Sequence, residues 1–186
     1  MDPPDLPQLL QMRAEFKIDE VVAGAQDDYG RLKKLASWIS LQWEHSTDRP
    51  TREDPITILR EAKQGKRFPC VQYATVLAAA ARAYDMPVRV IGLMPADVES
   101  SDNDHVVTEV WLATLNKFVL ADGQYGTIAE LDGKPLNAIE LQNAINGCCR
   151  HPHRHRPPPF WLMDRRNKRS ICRRRRRLRT VSPSRD

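Results

Sequence analysis

Between Pro69 and Tyr84 the chain spells a helix that is small or apolar on nearly every face, with Val71, Ala74, Val76, Leu77, Ala78, Ala80 and Ala81 leaving little polar surface for water. Such a helix must be wrapped on several sides, so the rest of the chain has to supply layers around it. Upstream, 9–16 and 18–25 read as short helices. Leu32, Leu35, Trp38 or Ile39, and Trp43 recur at helical spacing over 29–43. Asp54-Pro55 then reads as a cap followed by proline at the first helical position, and Gly65 ends that helix. Downstream the pattern changes to extended runs: 88–93, then 106–112 and 118–121, the last two joined around Asn116-Lys117 at a spacing that suits an antiparallel hairpin. Pro95 to Asp104 between them is an acidic loop. Helices first and a small sheet afterwards predict an α+β fold, with N-terminal helices and a buried helix packed on a small antiparallel sheet.

Charge divides the chain into regions of different composition. Residues 1–149 hold 15 basic and 22 acidic side chains, a balance of −7, whereas residues 150–186 hold 14 and 2, a balance of +12. A length of 186 residues fits one ordinary core, so a folded unit over 1–147 and a basic segment over 148–186 is the expected organisation. That segment, with His151-Pro152-His153-Arg154-His155 and the run Arg173 to Arg177, carries no helical or strand period. It reads either as disordered or as translation outside the gene's frame. No apolar run reaches the roughly 20 residues of a membrane span, and the start lacks a secretory pattern, so a cytoplasmic protein with reduced thiols and no membrane contact is expected. Histidines alternating beside Cys148 and Cys149 sit among prolines and arginines with no packed second layer, so no metal and no cofactor is predicted.

The candidate chemistry lies at the start of the buried helix. Pro69 fits its first position, which leaves Cys70 in the first turn beside unpaired backbone N–H groups that lower a thiol pKa and can hold an oxyanion. His105 opens the run His105-Val106-Val107-Thr108-Glu109-Val110-Trp111, and Asp122 closes Phe118-Val119-Leu120-Ala121-Asp122. In a hairpin turning near Asn116, positions 105 and 122 fall nearly opposite each other, which lets the carboxylate orient the imidazole. A thiol, an imidazole and a carboxylate in this order are the parts of a cysteine nucleophile site. Each also has a plainer reading: a small core cysteine, a solvated histidine, a turn-forming aspartate.

The stretch from about Phe16 to Gly126 resembles the transglutaminase-like superfamily, whose core shares the papain-like cysteine arrangement. The resemblance rests on Trp38-Ile39-Ser40-Leu41-Gln42-Trp43-Glu44-His45, on 54–65, on Phe68-Pro69-Cys70-Val71-Gln72-Tyr73-Ala74, on Met86 to Leu93, and on the His105 and Asp122 strands with Gly123-Gln124. It implies Cys70 as nucleophile, His105 as base and Asp122 as orienter, and makes 1–147 the domain. Members of that superfamily often carry glycine just before the histidine; here Asn103-Asp104 precede His105, which either alters the loop geometry or raises the imidazole pKa through Asp104. Gln64, six residues before Cys70, stands at the interval where papain-like enzymes carry an oxyanion-stabilising glutamine, or is a solvated helix end. Gln72 and Tyr73 are further site-lining candidates. Glu109 and Trp111 share the strand face of His105 and either line the cleft or pack.

The leading functional expectation is a cysteine enzyme that forms a thioester with an amide or acyl group of a protein or peptide, hydrolysing peptide or isopeptide bonds or passing a glutamine acyl group to an amine. Nothing in the sequence separates water from amine as acceptor, or sets the oligomeric state. Two competing readings are a catalytically inactive interaction module of the same fold and a nucleic-acid binder acting through the Arg-rich tail. Such a tail gives sequence-independent, salt-sensitive binding only.

Overall fold

Side-chain caps start three of the helices, with Asn137 before the last of them accepting from the Glu140 N–H at 2.8 Å. The Asp27 carboxylate accepts from the Gly30 N–H at 2.6 Å and that of Asp54 from the Thr57 N–H at 2.9 Å, with Pro55 in the first turn where its missing N–H is harmless. The computed structural model describes residues 6–94, 104–149 and 178–181, with backbone alone for Leu6, 147–149 and 178–181. In chain order the elements are α1 (Leu6–Glu15), α2 (Ile18–Val22), α3 (Asp28–Ile39), α4 (Pro55–Lys63), α5 (Cys70–Arg82), β1 (Val88–Leu93), β2 (His105–Leu112), β3 (Lys117–Asp122), β4 (Thr127–Leu131), β5 (Lys134–Pro135), α6 (Ala138–Cys149) and β6 (Leu178–Val181). The strands form an antiparallel sheet in the order β1-β2-β3-β4-β5, with β6 also paired to β4. The fold is α+β, consistent with a papain-like, transglutaminase-like core. Among the described residues no helix is long and apolar enough to cross a membrane.

The apolar helix α5 sits in the centre as its composition demands. It contacts α1, α3 and α4 as well as β1 and β2. Tyr73 on α5 stacks on Trp43 at 4.4 Å between ring centroids, and its hydroxyl donates to the Trp43 carbonyl at 2.7 Å. Trp43 reaches this core from the loop after α3. That helix stops at Ile39 with Ser40 as its cap, short of the 29–43 span expected. Both faces of the sheet are covered. Val110, Leu112, Val119, Ala121 and Ile128 join the helical core, while Val107, Leu120 and Ala129 pack with Leu136 and Leu141 in a second cluster. This explains why β2 and β3 read as apolar runs without polar alternation.

Several features depart from the sequence reading. β4, β5 and α6 occupy 127–149, where no element is expected. β4 and β5 are joined through Asp132-Gly133, both at positive φ (52° and 76°), the backbone a tight hairpin turn requires. Strand β6 falls in the segment read as lacking strand structure: Ile128 faces Val181 and Leu131 faces Leu178, so this part gains its order from a ladder with a distant strand rather than from a period of its own. The acidic loop at 95–103 lies outside the described residues. So does the basic segment at 150–177, including His151, His153, His155 and Arg173 to Arg177, and so does 182–186. Of Cys148 and Cys149 only the backbone is described.

Candidate active site

Cys70 is a free thiol, half-buried, and the first residue of α5. Pro69 stands one place earlier than expected. Its extended backbone (ψ −179°) makes it the cap, and the Gln72 N–H bonds back to its carbonyl at 3.1 Å. Cys70 therefore occupies the first helical position, where helix geometry leaves the backbone N–H without an intrahelical partner. Phe68, fully buried, anchors the approach through an edge-on contact with Trp43 at 5.7 Å.

His105 and Asp122 meet across the sheet. The Nε2 atom of His105 lies 2.7 Å from Oδ2 of Asp122, with both residues buried. The hairpin register pairs Thr108 with Ala121 and Leu112 with Lys117, so the loop is 113–116 and, continuing the ladder, Asp122 faces Val107. The two side chains are thus diagonal neighbours rather than opposite ones, a separation that long polar side chains still span. The other carboxylate oxygen, Oδ1, accepts from the backbone N–H groups of Gln124 at 2.9 Å and Tyr125 at 3.1 Å. Those bonds fix the carboxylate. Gly123 permits the turn to press on α5: a Cβ there would stand 3.0 Å from the Tyr73 carbonyl oxygen.

The imidazole also hydrogen-bonds the Cys70 thiol. With Nε2 committed to Asp122, Nδ1 is the ring nitrogen left for sulfur. Burial pushes the His105 pKa down, but the bonds to Asp122 and Cys70 and the attraction of both carry it up to about 9. Burial likewise pushes the thiol up, and Asp104 adds to that. The hydrogen bond from His105, the Val106 N–H and the imidazolium charge outweigh them and hold Cys70 below its ordinary value. Asp104 opposes the lowering at the thiol, and the rise at His105 comes mainly from Asp122 and Cys70. The two shifts are opposed, the thiol's downward and the imidazole's upward, and each group is among the causes of the other's.

The remaining candidates make other contacts. Gln64 is exposed as the cap at the C-terminal end of α4. Gln72 is buried, and its amide donates to Glu53 at 2.8 Å; Tyr73 is a core residue. Glu109, 1% exposed, pairs with Arg89 at 2.6 Å and accepts from the Ala138 N–H at 2.6 Å, holding the start of α6. Trp111 packs edge-on against Phe118 at 5.3 Å. Strand alternation correctly groups Glu109 and Trp111 but does not reveal that α6 covers this face.

Two neighbours carried no expected role. Tyr125 lies with its ring 5.7 Å from the His105 ring, brought there by the turn on Asp122. His45 is held by a parallel bridge to Phe68, two residues before the thiol, and lies near enough to His105 to feel its charge. The aspartate–glycine turn signals the first. No local pattern signals the second, because the bridge joins segments far apart in sequence.

The family model described as the transglutaminase-like superfamily matches residues 17–123, more than half of the chain. The chain belongs to that superfamily. No curated protein matches it. A solved structure of a candidate cysteine protease from Cytophaga hutchinsonii aligns at 15% identity and a TM-score of 0.49, covering 67% of this chain and 43% of that one. The chain thus spans less than half the length of that structure.

Proposed function

We propose that this protein is a cysteine acyl-transfer enzyme in which Cys70 attacks the carbonyl of an amide or acyl group on a protein or peptide. The observation that carries the reading is the continuous chain of contacts from the thiol at the head of α5, through the His105 ring, to the buried and doubly bonded Asp122. The thiolate adds to the carbonyl carbon, and the oxygen gains charge beside the Cys70 N–H, a donor aligned with the helix. His105 gives its proton to the departing amine, leaving a thioester. Water or an amine then attacks, His105 takes a proton back, and the C–S bond breaks to restore the thiolate. Asp122 keeps the ring oriented throughout. Peptide or isopeptide hydrolysis and glutamine acyl transfer share these steps. Such a thiol suits a reducing compartment such as the cytoplasm.

Alkylation tests the activated thiol. In the wild type, the rate with iodoacetamide is expected to reach a plateau below the pH range where a free thiol, with a pKa of about 8.5, ionises. A second step should follow near about 9 as His105 loses its proton. His105→Ala removes the stabilising partner but keeps the burial, so the thiolate should form only at higher pH and the plateau should vanish. A single midpoint at the free-thiol position, unchanged by His105→Ala, would defeat the proposal.

A further inference from the structure

His45 is the imidazole near the nucleophile that the steps above leave unused. Its backbone is fixed by the bridge to Phe68 and by the Ser46 N–H bonding to the Phe68 carbonyl at 3.3 Å, which ties the 45–46 segment to the strand-like entry to Cys70. Two residues earlier Trp43 is locked in the core, whereas His45 is solvent-exposed. Glu44, next to it in sequence, is paired with Arg67 at 3.0 Å. The bridge thus sets an exposed second imidazole beside the residue two places before Cys70, near enough to His105 to feel its charge.

Proton counting gives this position a use. Attack by water transfers one proton, and a neutral His105 accepts it. An alkylamine is an ammonium ion at neutral pH, and its nitrogen must shed two protons to become an amide. After acylation His105 has room for only one of them.

Resting on the thioester reading, we propose that His45 is the second base, taking from an incoming ammonium the proton that His105 cannot hold. The freed amine attacks the thioester carbonyl, forming the C–N bond. The C–S bond breaks with its electron pair returning to Cys70, the second amine proton passes to His105, and His45 releases its own to solvent. The part of the ring that is shielded from water, and then the charge on His105, lower the His45 pKa, which favours a neutral ring able to accept. The repulsion disappears once His105 has surrendered its proton, so His45 becomes a stronger base at the acyl-enzyme stage.

The test uses the full chain at pH 7 with a nitrophenyl ester as acyl donor and either n-butylamine, a cation there, or hydroxylamine, already a free base. His45→Gln is expected to lower the ratio of butylamide to hydroxamate product by about a hundredfold, the ordinary range for a lost acid–base group. Added imidazole should raise it again, and His45→Asn should behave alike. A ratio equal to that of the wild type, including an equal fall in both products, overturns the second-base role. Absence of an acyl adduct on Cys70 in the wild type overturns the thioester reading itself, and with it this one.

Discussion

Cys70→Ser is expected to lower acyl-enzyme formation by about 10⁴-fold or more, the scale on which a catalytic unit fails when one member is removed. The substitution is nearly isosteric at a half-buried position, so packing survives. Under the proposed function, what disappears is the ionised nucleophile. The site lowers the thiol pKa through the His105 bond, the Val106 N–H and the imidazolium charge. A serine hydroxyl starts far above the reach of those effects and stays protonated. Intact-mass analysis after exposure to a nitrophenyl ester reads the outcome directly: an adduct on the wild type and almost none on the variant. Equal labelling of both proteins would place the reactive group elsewhere.

The second large effect is expected at Asp122. In Asp122→Asn the side-chain oxygen can still accept from the Gln124 and Tyr125 N–H groups, so the turn is preserved while the charge is lost. The amide no longer stabilises imidazolium and can favour the wrong tautomer, which should reduce turnover by about 10²- to 10⁴-fold. Stability should change with a defined sign. His105 has a raised folded-state pKa, so its protonation stabilises the fold fully below the unfolded value of about 6.5, and that contribution is lost as pH rises through about 9. The difference between wild type and Asp122→Asn in urea unfolding should therefore be largest at the acid end of that window and narrow toward its top. A gap that widens with rising pH would contradict this assignment.

Much of this was legible because the decisive signals are local. An all-apolar helix must be buried, and a proline before it marks its start, so Cys70 could be placed to within one position. Hairpin logic brought His105 and Asp122 together, but the four-residue loop 113–116 shifts the register and makes them diagonal. Local signals also missed β4 and β5 despite their Asp132-Gly133 turn. Long-range placement was out of reach. Alternation puts Glu109 and Trp111 on one face without revealing the second core there, and no period announces that His45 bridges to Phe68. Gln64 is the exposed cap of α4, which agrees with the reading of it as a solvated helix end.

The central claim is that His105 is an imidazolium paired with the Cys70 thiolate at neutral pH, and an NMR titration of the His105 ring, assigned by its loss in His105→Gln, tests it most directly. The paired site predicts a ring that stays protonated through neutrality and titrates near about 9, with a lower midpoint in Cys70→Ala. A midpoint at or below the ordinary histidine value of about 6.5, unmoved by Cys70→Ala, would contradict it.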